Sequence, residues 1–120
     1  MEPVIINIPP IKLEHQDPDK EGSIVLELHD KYVVYKANFY AEEPKDKDDK
    51  SLGIETVYNN FELAAFKHQC VCVEKSWLSQ AKRWSVYIYV NGLGYDIKMY
   101  FKKESEATEV YNKVFKWLYD

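Results

Sequence analysis

The sequence predicts an α+β, mainly β domain: an antiparallel sheet of about five to seven strands, curved or forming a small partly open barrel, closed by a C-terminal amphipathic helix. Three observations carry this prediction. Two stretches fold back on themselves in register as hairpins, and a third, at the end of the chain, changes its apolar period from strand to helix.

In "SIVLELHDKYVVYKANFY" a turn at Asp30-Lys31 pairs Leu28 with Val33, Leu26 with Tyr35 and Ile24 with Ala37. These large apolar groups then share one face of both strands, and Glu27, His29 and Lys36 take the other. In "RWSVYIYVNGLGYDIKMYFK" the Asn91-Gly92-Leu93-Gly94 turn supplies the positive backbone angles of a tight reversal. It pairs Val90 with Tyr95, Ile88 with Ile97, Val86 with Met99 and Trp84 with Phe101, again with one apolar face. In "ESEATEVYNKVFKWLYD", Ala107, Val110, Tyr111, Val114, Trp117 and Leu118 fall at helical spacing, and Ser105 stands where a cap is expected. Glu106 and Glu109 lie toward the positive end of the helix dipole, Lys113 and Lys116 toward the negative end.

Other segments are less defined by pattern. Residues 1–22 read as an irregular or partly ordered N-terminal segment, and 42–51, "EEPKDKDDKS", as a charged, solvated, mobile loop. Residues 53–67 fit two descriptions: Ile54, Val57, Tyr58, Phe61 and Ala65 suit a helix, while Asn59-Asn60 suits a turn between short strands. "QCVCVEK" reads as a strand, and "SWLSQAK" as the loop after it.

With 120 residues, 46% hydrophobic and 30% charged, the chain is expected to be a single domain, 1–120, able to bury a core without disulfide or metal staples. The net charge of -4 argues against general attraction to nucleic acid or anionic lipid. Cys70 and Cys72 stand too close along one strand to bridge without strain, so both read as free thiols in a reducing, cytoplasmic setting. The apolar run "PVIINIPPI" has no basic leader and is broken by Pro9 and Pro10, which fits neither a signal peptide nor a membrane span.

Few motifs point to chemistry. Residues 17–28, "DPDKEGSIVLEL", imitate a calcium loop, with Asp17, Asp19 and Glu21 at positions one, three and five and Gly22 at six. The twelfth position needs a carboxylate and holds Leu28, which the hairpin claims for the core. "DPDKEG" therefore reads as a polar turn. His68, Cys70 and Cys72 alternate and are expected on one strand face, a soft donor set for zinc or a thiol beside a base, with no CxxC or HxxxH pair to complete it. GxGxxG, P-loop and HExxH motifs are absent from the sequence, and neither catalysis nor a cofactor is expected.

The most distinctive surface is the non-core face of the second hairpin: Arg83, Tyr87, Tyr89, Lys98, Tyr100 and Lys102. Between positions 74 and 103 six basic residues stand against two acidic ones, in a chain that is acidic as a whole. Tyrosine and arginine are frequent interface anchors. Aromatic rings among cations also suit stacked nucleic-acid bases.

The closing stretch "RWSVYIYVNGLGYDIKMYFKKESEATEVYNKVFKWL" resembles the end of a pleckstrin-homology-like domain, where a last strand hairpin runs straight into one amphipathic helix that plugs a bent barrel. That resemblance implies the architecture and a tendency toward protein recognition. It does not extend to lipid headgroups: the corresponding first hairpin loop, "LHDKY", offers only Lys31 as a strong cation, and no membrane partner is expected. The expected function is thus a non-enzymatic protein-interaction module that uses the Tyr/Lys/Arg face to hold an acidic protein partner or a second copy of the chain. Two alternatives stay open: a single-stranded nucleic-acid-binding domain, and a thiol-dependent enzyme or metal site around His68, Cys70 and Cys72.

Overall fold

A computed structural model describes residues 2–11 and 22–120. Two antiparallel meanders follow one another along the chain. The first sheet holds β1 (Val4–Ile8), β2 (Ser23–Leu28), β3 (Tyr32–Pro44) and β4 (Ile54–Phe66) in sequence order. The second holds β5 (Cys70–Leu78), β6 (Arg83–Val90) and β7 (Ile97–Phe101), and α1 (Glu104–Tyr119) follows. The described fold is mainly β with one C-terminal helix, and its two separate ladders leave the barrel open.

Both hairpins take the register their apolar pattern requires. Leu28 faces Val33, Leu26 faces Tyr35 and Ile24 faces Ala37. On the second hairpin Trp84 faces Phe101, Val86 faces Met99 and Ile88 faces Ile97. These apolar faces and the Ala107, Val110, Val114 and Trp117 stripe of α1 meet in one core. A register slip of one residue would turn Leu26, Leu28, Val86 and Ile88, all fully buried, out to water. On the far side of the first hairpin Glu27 accepts from His29 at 2.9 Å and pairs with Lys36 at 3.0 Å. The His29 hydrogen bond, then Lys36, holds the Glu27 carboxyl below its ordinary value.

Several details depart from the sequence expectation. The expected Val90–Tyr95 pair does not form, and the ladder stops at Ile88 and Ile97. The Asp96 carboxylate accepts the Val90 amide at 2.9 Å in its place, and Tyr95 donates its hydroxyl to the Ala64 carbonyl at 3.1 Å, tying the turn to the other sheet. Gly92 and Gly94 take the positive φ angles the turn demands, +86° and +72°. Ser105 does not cap the helix. Only two residues separate β7 from α1, so the chain turns early: extended Lys103 is the N-cap, its carbonyl accepts from Ala107, and no side chain caps the end. Glu104 and Glu106 occupy the first turn, where the dipole favours them.

Part of the expected irregular segment 1–22 is a strand. Ile6 and Ile8 are buried opposite Leu26 and Ile24, and Pro9-Pro10 ends the strand. The calcium-like positions Asp17, Asp19 and Glu21 lie outside the described residues, whereas Leu28 is fully buried. Gly22 enters β2 so close to β3 that any Cβ there would strike the Asn38 carbonyl and Phe39.

The largest departure is at 42–67. Residues 42–44 are not loop but the end of β3, and 53–67 is neither a helix nor two short strands: Asn59 and Asn60 lie within a continuous β4. The two 13-residue strands pair from Tyr32–Phe66 to Pro44–Ile54, forming an arm that gives the molecule a 49 Å long axis against 30 and 28 Å. Pairing along this length outweighs the local turn preference of two asparagines. "SWL" likewise continues β5, with Trp77 against Trp84 at 5.3 Å between ring centroids, and the turn falls at 79–82.

Candidate functional site

Five of the six surface residues singled out by pattern lie on β6 and β7. β6 presents Arg83, Tyr87 and Tyr89 on the side opposite the core, and β7 presents Lys98 and Tyr100 beside them, with Tyr87 opposite Lys98 and Ser85 opposite Tyr100. Ser85 is fully buried and hydrogen-bonded to Ser76 at 2.9 Å, a small residue that lets its larger neighbours close over it.

The rings are organised around Tyr87. Its hydroxyl lies 3.2 Å from that of Tyr100, and their rings meet edge to face at 6.0 Å between centroids. Tyr89 meets Tyr87 edge to face from the other side at 6.3 Å. Lys98 Nζ sits 5.6 Å from the Tyr87 ring centroid, within cation–π range. Burial, then the hydrogen bond with Tyr87, pushes the Tyr100 hydroxyl up to about 12, while the nearby Arg83 guanidinium pulls the other way. Tyr89 is also raised, by desolvation first and then by the Glu74 carboxylate. The Tyr89 and Tyr100 hydroxyls are therefore neutral hydrogen-bonding groups at ordinary pH, and the charge of the face comes from Arg83, Lys98 and the Glu74 carboxylate opposite Tyr87. Lys102 lies just beyond β7 and is exposed.

Arg83, Lys98 and Tyr100 also form one wall of a cleft of about 540 Å³, in the size range of ligand pockets. Its apolar side comes from the first sheet: Ile24, Tyr35, Phe39, Phe61 and Leu63, with Pro10 and Ile11 at one end. Phe61 meets Tyr35 at a tilt and Phe39 edge to face, at 5.9 and 6.1 Å between centroids, and 39% of its surface stays exposed. Burial alone pushes the Tyr35 hydroxyl up to about 12. Among the described residues neither Arg83 nor Lys98 has a carboxylate partner, and Asp96, also on the wall, is engaged by the Val90 amide. Such a site can take an apolar group on its floor and an anionic group at its rim.

The pattern-based reading missed this floor. Its one signal was the alternation of Phe61, Leu63 and Ala65, legible only once 54–66 is taken as a single strand.

The thiol cluster is not assembled. His68 lies in a short 3-10 turn (Lys67–Gln69), not on the strand, and its ring stacks on Phe66 at 5.4 Å. A bulge at Val71 puts Cys70 opposite Val90, on the core side, and Cys72 opposite Tyr89, on the outer side. The two thiols therefore leave opposite faces, contrary to simple alternation. Cys70 Sγ lies 3.6 Å from the Phe66 carbonyl, and burial pushes its thiol up, away from the thiolate a nucleophile needs. Among the described residues no group of three or more His, Cys, Asp or Glu side chains is placed to hold a metal ion. Alkylation of the folded chain with iodoacetamide is expected to label half-exposed Cys72 well before Cys70, as peptide mapping would read; equal labelling would contradict the bulge.

No helix among the described residues is long and apolar enough to cross a membrane. No protein-family model matches the chain, and comparison with curated proteins and with solved structures likewise gives no match.

Proposed function

We propose that this chain is a non-enzymatic protein-interaction module of pleckstrin-homology-like architecture, acting in the cytoplasm and binding its partner through the Tyr/Lys/Arg face of the β6–β7 hairpin. One observation carries the reading: Arg83, Lys98 and Tyr100 form the wall of an open, aromatic-floored cleft, and Tyr87 is locked to that wall through Tyr100 and Lys98. Aromatic area held beside cations that have no carboxylate partner among the described residues is the composition of an interface centre. The architectural part is supported by β7 passing through two residues into α1, whose apolar stripe lines the core between the sheets. The free thiols are in keeping with the cytoplasmic part.

The nucleic-acid alternative draws less support from the same geometry. A stacking platform needs open ring faces, whereas Tyr87, Tyr89 and Tyr100 meet edge to face and Lys98 lies over Tyr87. A thiol enzyme draws less still, since Cys70 is buried and Cys72 faces away from it.

The test is affinity capture from the native host with the wild-type chain and with a Tyr87→Ala/Tyr100→Ala variant. The variant is expected to lose the captured protein and to keep its circular dichroism, with a stability loss of about 1 kcal/mol from the aromatic pair in addition to the area the two rings bury. Capture that survives the double substitution would refute the assignment of this face.

A further inference from the structure

The β3–β4 arm carries an unusual gradient along the face that continues the cleft floor. Near its base that face is the buried core of Val33, Tyr35 and Ala37; exposed Phe61 stands opposite Ala37, and half-buried Phe39 comes further out. At the outer end Glu43 stands directly opposite Glu55, both exposed. Two carboxylates facing each other across a ladder repel and destabilise the pair. Among the described residues neither has a cation partner.

Arg83 and Lys98, on the opposite wall of the cleft, likewise have no carboxylate partner among the described residues. The arm cannot bring its own carboxylates to them. Glu43 lies four positions along the strand from Phe39 on the cleft floor, about 13 Å at the rise of a strand, and paired strands do not fold back over that distance. A second molecule can supply what each end lacks.

We propose that two copies of this chain associate arm to arm, each laying the outer part of its β3–β4 face over the other's cleft, so that Glu43 and Glu55 of one reach Arg83 and Lys98 of the other. The contact covers Phe39 and Phe61 in both copies and relieves the like-charge pair at each arm end. Because each copy gives the same arm and the same cleft, the arrangement is two-fold and closes on itself. The inference rests on the reading of the β6–β7 face as an interaction surface and names a second copy as its occupant.

Sedimentation velocity on the full chain tests it, with circular dichroism to verify folding. The mass is expected to rise with concentration from 14.2 kDa toward twice that value, and to fall back with added salt. Arg83→Glu/Lys98→Glu and Glu43→Lys/Glu55→Lys should each weaken association by at least about tenfold, because each brings like charges together. An equal mixture of the two folded variants should associate again, since every contact then joins opposite charges. A wild-type chain that remains monomeric up to about 1 mM would overturn the proposal. So would association indifferent to the charge reversals, or a mixture that stays apart. If the wild type is monomeric while capture of another protein still depends on Tyr87 and Tyr100, the interaction module stands and only the self-association falls.

Discussion

Leu28→Glu is expected to unfold the chain rather than create a calcium site. The substitution supplies the carboxylate missing from position twelve of "DPDKEGSIVLEL", so on sequence grounds alone it looks like a gain of function. Leu28, however, is fully buried, paired with Val4 on one side and Val33 on the other. A carboxyl group placed there either stays charged without a partner or takes up a proton and still loses the packing of leucine. The combined cost is expected to exceed about 4 kcal/mol, a large share of the stability of a domain this size. Chemical denaturation with and without calcium measures it. A folded variant that gains stability from millimolar calcium would show that the strand assignment of 23–28 is wrong.

The second large effect is expected at Trp117. Its side chain is 5% exposed in the core, and its Nε1 donates to the His29 carbonyl at 2.6 Å, fastening the last turn of α1 to the β2–β3 turn. Lys67 Nζ lies 5.3 Å from the ring centroid, so the indole also makes a cation–π contact. Trp117→Ala should cost about 3–5 kcal/mol through the cavity and the lost hydrogen bond. Trp117→Phe keeps most of the apolar volume and should cost clearly less. Urea titration of the three proteins separates the packing share from the hydrogen-bond share; an unchanged midpoint for the alanine variant would place Trp117 at the surface.

Much of the fold was legible in the sequence because its hairpins are local. In Ile24 through Ala37 and Trp84 through Phe101 every partner lies within the same short hairpin, and a slip of one place would expose the paired apolar set. The arm was not legible for the opposite reason. Asn59-Asn60 prefers a turn locally and is overruled by 13 successive pairings with β3. The bulge at Val71 was hidden too, since one extra residue in a strand leaves no mark in an alternating pattern yet turns Cys72 away from Cys70. At the candidate site the tyrosines and cations of β6 and β7 could be read from alternation, while Phe39, Phe61 and Leu63 join them only through the placing of one sheet against the other.

The bond from Trp117 to the His29 carbonyl spans 88 positions of chain, and that span governs timing. The β2–β3 hairpin can zip within microseconds, but the carbonyl at its turn must wait in water until α1 arrives. Closure of this contact thus belongs to the late side of the folding barrier. Loss of the indole should mainly speed unfolding and leave the refolding rate nearly intact, and stopped-flow chevrons of the wild type and Trp117→Phe would read that division directly. The lifetime of the folded chain is then set at the place where its most distant parts meet, more than by the hairpins that form first.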